Sequence, residues 1–467
     1  MNPVDLAFTP ALEQARLIHT KEVTPLELVE LYLESIQRLD TQVGSYFTVM
    51  AEQAIADAKV KTQQLGGEAL LLPPFFGVPI SIKDLNPVAG VRCTYGTPAL
   101  MNQVATYDDG VVTRIRKAGF IILGKTATSE LGSFPYTEPA GFPPARNPWN
   151  LHYTPGGSSG GAAAAVAAGL CAISLGSDAG GSIRGPAFCC GLVGIKPARG
   201  RVSYAPVGDR LSGIATIGPL ARTVADAAAL LDVMSGYVTG DPYWLPDPDP
   251  SFLAATTQEL SPLRIAFATT VPPLGDADSV CQQAVLETVQ MLEAMGHIVE
   301  PGCPDFTGLI EPFTTVWQAG VAYSGIPKEA LQPMNQWLLE RRSSAGDYLQ
   351  AVSQMQVIAR QIVAFFDSVD VLVLPTYMHP TIRVGEWASL SPEETLQKII
   401  RWVAPCPPFN ASGQPAIALP TGFDSNGLPV GVQLVGRPAA EATLIALAAQ
   451  LEAAKPWSDR RPVIADQ

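Results

Sequence analysis

Histidine is scarce in this chain: four in 467 residues, at His19, His152, His297 and His379. A serine or cysteine nucleophile that relies on imidazole as its base therefore has few partners available. Positive charge is also short. Lys plus Arg number 30 against 43 Asp plus Glu, a formal net charge of −13. An acidic surface repels phosphates and anionic lipid, and no dense Lys/Arg run interrupts it, so neither nucleic acid nor membrane is expected as a partner. The seven cysteines are odd in number and scattered through a long chain, which argues against a disulfide framework. No Cys-x-x-Cys pair or His-rich cluster points to zinc; no metal and no other cofactor is expected. Long apolar runs are missing too. The least polar stretch, 160–176, is rich in Ala and Gly and shorter than the roughly 20 residues of a membrane span. The start, Met1-Asn-Pro-Val-Asp5, lacks the basic and apolar run of a signal peptide. The expectation is a soluble, cytoplasmic protein, with a homodimer the assembly to look for.

What is abundant is apolar surface to bury and glycine to bend it. Hydrophobic residues make up 47% of the chain and charged ones 16%, enough for a large globular core. Glycine concentrates around serine twice, in Pro155-Gly-Gly-Ser158-Ser-Gly-Gly161 and in Gly176-Ser-Asp-Ala-Gly-Gly-Ser182-Ile-Arg184. Glycine admits positive φ and close backbone approach. A serine held there is a candidate nucleophile, and neighbouring N–H groups are candidate donors to a developing oxyanion.

Periodicity places these loops. Residues 10–65 read as helical, with Thr24 as N-cap and Pro25 at the first helical position. Residues 75–83 read as a buried strand ending at Lys83, 106–117 as a helix and 120–124 as a second buried strand. The Pro-, Gly- and Asn-rich stretch 134–155 reads as a long loop. A small-residue helix over 161–170 and a short strand over 171–176 follow. Residues 236–407 change texture, with Pro-rich turns and helices from Ser279 and Ala345, and read as a peripheral layer. The end returns to strand at 413–420 and 430–435 and to helix at 441–454. Strands alternating with helices imply an α/β sandwich. The expected organisation is an N-terminal helical segment 1–65, a core 66–235, a variable layer 236–407 and a return to the core over 408–467.

Ser158 stands within Gly156-Gly-Ser-Ser-Gly160, which fits the Gly-x-Ser-x-Gly elbow of histidine-dependent α/β-hydrolases. That elbow requires a preceding strand and a downstream histidine. Residues 149–155 read as loop, and His379 is the one fair histidine, so an esterase built on Ser158 is an alternative. A lysine can act as base when burial disfavours its ammonium form. Lys83, closing an apolar strand, is either such a base or a strand-end lysine reaching water.

Gly77-Val-Pro-Ile-Ser-Ile-Lys-Asp84 and the two serine loops, in this order, together resemble the amidase signature family. The likeness continues through Gly191-Leu-Val-Gly-Ile-Lys-Pro197, Gly218-Pro-Leu-Ala-Arg-Thr223, Gly413-Gln-Pro-Ala416 and Gly427-Leu-Pro-Val-Gly-Val-Gln433. It is dense over 70–235 and 408–455 and weak between them. Looser likeness at 134–139, 146–149 and 196–203 is to the branch containing 6-aminohexanoate-cyclic-dimer hydrolase. The resemblance implies a single α/β/α sandwich around a large, twisted mixed sheet and a Ser–Ser–Lys triad. Ser182 would be the nucleophile, Ser158 the bridging serine and Lys83 the base, with a cis peptide at Gly157–Ser158. N–H groups around Ala179, Gly180, Gly181 and Ser182 would hold the oxyanion. The implied activity is hydrolysis of a small, non-peptide carboxylic amide, linear or cyclic, through a Ser182 acyl-enzyme. The family also contains the glutaminase subunit of a tRNA-dependent amidotransferase, a second alternative.

Neighbouring residues carry lesser expectations. Ser159 supports its loop by hydrogen bonding, and Asp178 with Arg184 braces the second loop as an ion pair. Cys189 and Cys190 are small core residues. Tyr136, Thr137 and Phe142 either line the acyl pocket or pack the loop. Gly185 stands where relatives carry a larger residue; the lost bulk either widens the pocket or makes room for a neighbour.

Overall fold

The computed structural model describes residues 2–65, 72–209 and 211–466. Eleven strands form one twisted mixed sheet: β1 (Tyr46–Val49), β2 (Pro79–Lys83), β3 (Ile121–Thr126), β4 (Ile173–Asp178), β5 (Val193–Lys196), β6 (Thr216–Ala221), β7 (Arg264–Phe267), β10 (Ile298–Pro301), β11 (Val371–Pro375), β12 (Ala416–Phe423) and β13 (Pro429–Gly436). Two short strands, β8 (Thr270–Val271) and β9 (Gly275–Asp276), make a separate ribbon. The sheet order is β1-β3-β2-β4-β6-β5-β12-β13-β11-β7-β10. β3, β2 and β4 run parallel, as do β11, β7 and β10, while the strands between are antiparallel. Helices cover the sheet, and the expected α/β sandwich is the observed fold. Strands β2, β3, β5, β6, β11 and β13 are buried at every position. That is what near-continuous apolar runs give when both faces are covered.

The parallel pairing of β2 with β4 positions the site. Ile80, Ser81 and Ile82 lie opposite Ile173, Ser174 and Leu175, so Lys83 and Asp178 close their strands at the same edge of the sheet. Loops at the carboxyl ends of parallel strands are where α/β folds build their clefts. The helix Gly160–Ala167, which precedes β4 in the chain, is buried at every residue. Only its lack of side-chain bulk lets it lie so close. A Cβ on Gly161 would stand 2.4 Å from the Ala127 nitrogen.

Several expectations change. The helical segment 10–65 contains β1, because Tyr46-Phe-Thr-Val49 is aromatic and β-branched and pairs with β3 at the sheet edge. The strand read over 75–83 begins only at Pro79, and the helix read from 106 begins at Gly110. Residues 236–407 are more than a peripheral layer. They supply β7, β10 and β11 to one end of the same sheet, in runs of four or five residues too short to stand out by periodicity. The same segment carries the helices Ile310–Tyr323, Pro333–Glu340 and Pro392–Val403. No described helix is long and apolar enough to cross a membrane.

Candidate active site

Lys83 is fully buried at the end of β2, and its Nζ reaches three hydroxyls: Ser158 Oγ at 2.8 Å, Ser159 Oγ at 2.8 Å and Ser177 Oγ at 3.0 Å. The strand-end lysine thus points into the protein rather than to water. Burial pushes its pKa from 10.5 down to about 7, with the nearby Asp178 carboxylate pulling the other way. A group poised there exchanges protons readily at neutral pH.

The first serine loop is held from outside. The Gly157–Ser158 peptide is cis. A Cβ on Gly157 would meet the Tyr136 nitrogen at 2.5 Å and the Phe134 oxygen at 2.6 Å, so the 134–155 loop presses directly on this turn. Ser159 Oγ donates to the Ser177 carbonyl at 3.1 Å, and Ser159 N–H donates to the Ser182 carbonyl at 3.2 Å. The two loops are stitched together through Ser159. Ser177 is the third hydroxyl at the lysine, one that the sequence motifs did not single out. Its signal was its place inside the Gly176-Ser-Asp run.

The second loop is braced by a buried ion pair. Asp178 and Arg184 are both inaccessible, with Arg184 Nη2 3.0 Å from Asp178 Oδ1 and Nε 3.0 Å from Oδ2. Burial alone would raise the Asp178 pKa, but the Arg184 guanidinium overcomes it and holds the carboxyl well below the usual range. The remaining guanidinium N–H groups donate to the Cys406 carbonyl, Gln433 Oε1 and Asn410 Oδ1. Asp178 also accepts from Gly181 N–H at 2.7 Å and Ile183 N–H at 3.1 Å. Gly181 N–H is therefore engaged, which narrows the expected oxyanion donors. Among the described residues, the N–H groups of Ala179, Gly180 and Ser182 have no acceptor. Asn410, Cys406 and Gln433 were missed as a group, since each lies more than two hundred residues away in sequence.

A Cβ on Gly185 would lie 1.7 Å from Tyr377 Oη, so this glycine makes room for a neighbour and does not widen the pocket. Cys189 and Cys190 are core residues with thiols raised by burial, Cys189 to about 12. Thr137 is buried and donates to the Gly156 carbonyl, and Phe142 stacks on Phe47. Both are loop packing. Tyr136 lines a separate hollow beside Glu138 and Trp387, while Phe134 and Pro135 face the site. His379 stacks on Trp402 and contacts the Pro380 carbonyl. No histidine lines either cavity at the serines, and Ser158 is bonded to Lys83 instead. The geometry offers the histidine-dependent reading no base.

Two cavities open at this edge. One, of about 130 Å³, is lined by Gly157, Gly180 and Ser182 together with apolar side chains from 272–274 and 306–408. The other, of about 590 Å³, is lined by Ser158, Ser177, Asp178, Ala179 and Ser182 among others. Ser182 borders both cavities, and Ser158, bonded to the buried lysine, borders the larger one with it.

A fold of this topology with this constellation belongs to a hydrolase, and comparison with known proteins names its class. The family model described as Amidase matches residues 27–445, and the chain belongs to the amidase signature family. It is an amidohydrolase. A Synechocystis sp. protein carrying an amidase name is 56% identical over 450 residues, covering 96% of this chain and 89% of that protein. The 6-aminohexanoate-cyclic-dimer hydrolase of Paenarthrobacter ureafaciens is 34% identical, covering 99% of this chain and 98% of that one. Among solved structures, a 6-aminohexanoate cyclic dimer hydrolase complexed with substrate matches with a TM-score of 0.92 at 31% identity, covering 98% of this chain and 99% of that one. A bacterial aryl acylamidase of the same family matches with a TM-score of 0.87 at 25% identity, covering 98% of each chain.

Proposed function

We propose that this protein hydrolyses an uncharged carboxylic amide through an acyl-enzyme on Ser182. The observation that carries the reading is Lys83, buried, shifted toward neutrality and 2.8 Å from Ser158 Oγ, which shares a cavity with Ser182. Neutral Lys83 takes the proton of Ser158, and Ser158 takes that of Ser182 as the Ser182 oxygen attacks the amide carbon. The N–H groups of Ala179, Gly180 and Ser182 are the donors available to the tetrahedral oxyanion, each contributing about 3–4 kcal/mol by analogy with other hydrolases. As the C–N bond breaks, Ser158 returns a proton to the leaving nitrogen. Water, deprotonated by the same relay, then releases the carboxylate and restores Ser182.

The cavity walls favour an uncharged amide over glutamine. Among the described lining residues there is no Lys or Arg, and the one acid, Asp178, is committed to Arg184. The α-amino and α-carboxylate groups of glutamine would find no ionic partner among these described residues. The cyclic dimer named for the 34% identical relative is likewise an amide without free charged ends. The test is hydrolysis by the purified protein of aliphatic, aryl and cyclic amides and of glutamine, with a trapped Ser182 acyl adduct identified by mass. Turnover of neutral amides without any partner protein is expected. Activity on glutamine alone, or an adduct on Ser158, overturns the reading.

A further inference from the structure

The two cavities at Ser182 differ in kind. The narrower is walled by Phe306, Phe313, Met334, Leu338 and Ile399. The wider is also largely apolar, with Leu100, Val207, Leu211 and Ile326 in its wall, but adds Asn86, Tyr95, Gln103 and Tyr204 beside Ser158 and Ser177. Ser133, Ser182 and Trp317 border both. Trp317 lies on the helix Ile310–Tyr323, whose Phe313 and Thr314 face the narrow cavity and whose Gly320 and Tyr323 face the wide one. Its indole stands over the second serine loop, 3.6 Å from where a Cβ on Gly180 would be. This helix is therefore a wall with a different chemical environment on each side.

We infer that the wall sorts the two halves of the amide: the narrow apolar cavity takes the acyl group and the wider, more polar one takes the amine. This rests on the Ser182 acyl-enzyme proposed above. Ser158 borders only the wide cavity, and Gly157 only the narrow one. The hydroxyl that protonates the leaving nitrogen must face that nitrogen, so the amine extends on the Ser158 side. The acyl chain leaves the carbonyl on the other side, over Gly180 and past Trp317. Size then limits it. An apolar cavity of about 150 Å³ accommodates benzene, so about 130 Å³ accommodates a phenyl ring or a short aliphatic chain. The amine side has room for a larger, polar group.

The test uses two amide series. One holds the amine constant and lengthens the acyl group from acetyl through hexanoyl and phenylacetyl to decanoyl. The other holds acetyl constant and enlarges the amine. In the wild type, kcat/KM should rise with acyl size to about that of a phenyl ring and then fall, while larger polar amines are accepted. Ile399→Trp and Val207→Trp fill the narrow and wide cavities from half-buried positions. Ile399→Trp should lower kcat/KM for hexanoyl and phenylacetyl amides at least about tenfold more than for small acetamides. Val207→Trp should do the converse for the amine series. Exchanged patterns, or equal effects on both series, overturn the assignment, as does a wild type indifferent to acyl size. Should either variant fail to fold, the wild-type series decides. Labelling by phenylmethylsulfonyl fluoride, mapped to Ser182 and lost in Ser182→Ala, separates the two ideas. Label elsewhere defeats the acyl-enzyme reading, whereas label on Ser182 with the wrong pattern defeats only the orientation.

Discussion

A lysine at the end of a strand is ordinary; one enclosed by three serine hydroxyls is not. Burial lowers the Lys83 pKa to about 7, which is what the proposed role of base requires. The rate should therefore rise with pH along a limb centred near 7, measured as kcat/KM on a neutral amide. Lys83→Ala and Ser182→Ala should each lower kcat by at least about a thousandfold in a folded protein. Gly185 supports a different prediction. Gly185→Ala drives a methyl into Tyr377, so it should destabilise by about 1–3 kcal/mol or more by overpacking. Combined with Tyr377→Ala it should cost less than the sum of the single changes, read from denaturant midpoints. The sequence singled out Gly185 but left its meaning open, because Tyr377 is nearly two hundred residues distant.

At the scale of elements, the site depends on how separate pieces are tied together. The 3-10 turn Glu130–Gly132 packs beside Ser158, where a Cβ on Gly132 would be 3.4 Å from Ser158 Oγ. Glu130 is buried, and its Oε2 accepts from Gln332 N–H and Asn335 Nδ2, each at 2.8 Å. These bonds anchor the helix Pro333–Glu340, whose Met334 and Leu338 wall the narrow cavity. Asn335→Ala leaves a buried carboxylate short of a donor and should cost about 1–3 kcal/mol. Its effect on kcat/KM should be greater for phenylacetyl than for acetyl amides. Motif strands and the serine loops were legible because glycine spacing and apolar runs are local signals. The Glu130 clasp was not, since nothing near Glu130 in sequence indicates a partner at 332–335.

For the whole molecule, two buried lysines make stability depend on pH. Burial depresses Lys196 to about 7 as well, with Arg184 adding to the effect. The unfolded chain keeps these protons up to the ordinary 10.5, while the folded one releases them near 7. Between these values the unfolded state binds more protons, so both groups make stability increase as pH rises. From pH 7 to 8.5 each should add up to about 1.4 kcal/mol per pH unit, and Lys83→Met with Lys196→Met should flatten the slope in urea unfolding. The far end of the chain is joined to the core by a buried bridge of 3.0 Å from Arg201 Nε to Glu441 Oε1, at the start of the last long helix. Breaking it with Arg201→Met should cost about 3–5 kcal/mol, because Glu441 is left charged and buried.

By itself the sequence determined the reaction class and the α/β architecture, since serine, glycine and lysine in fixed local order are written into contiguous segments. It also offered only one fair histidine, His379, beside Lys83 as a candidate base. Only the tertiary structure decided what Lys83 touches, which N–H groups stay unengaged, and that residues 236–407 complete the sheet and wall both cavities. Those properties come from burial and from contacts between distant segments, which no local pattern encodes.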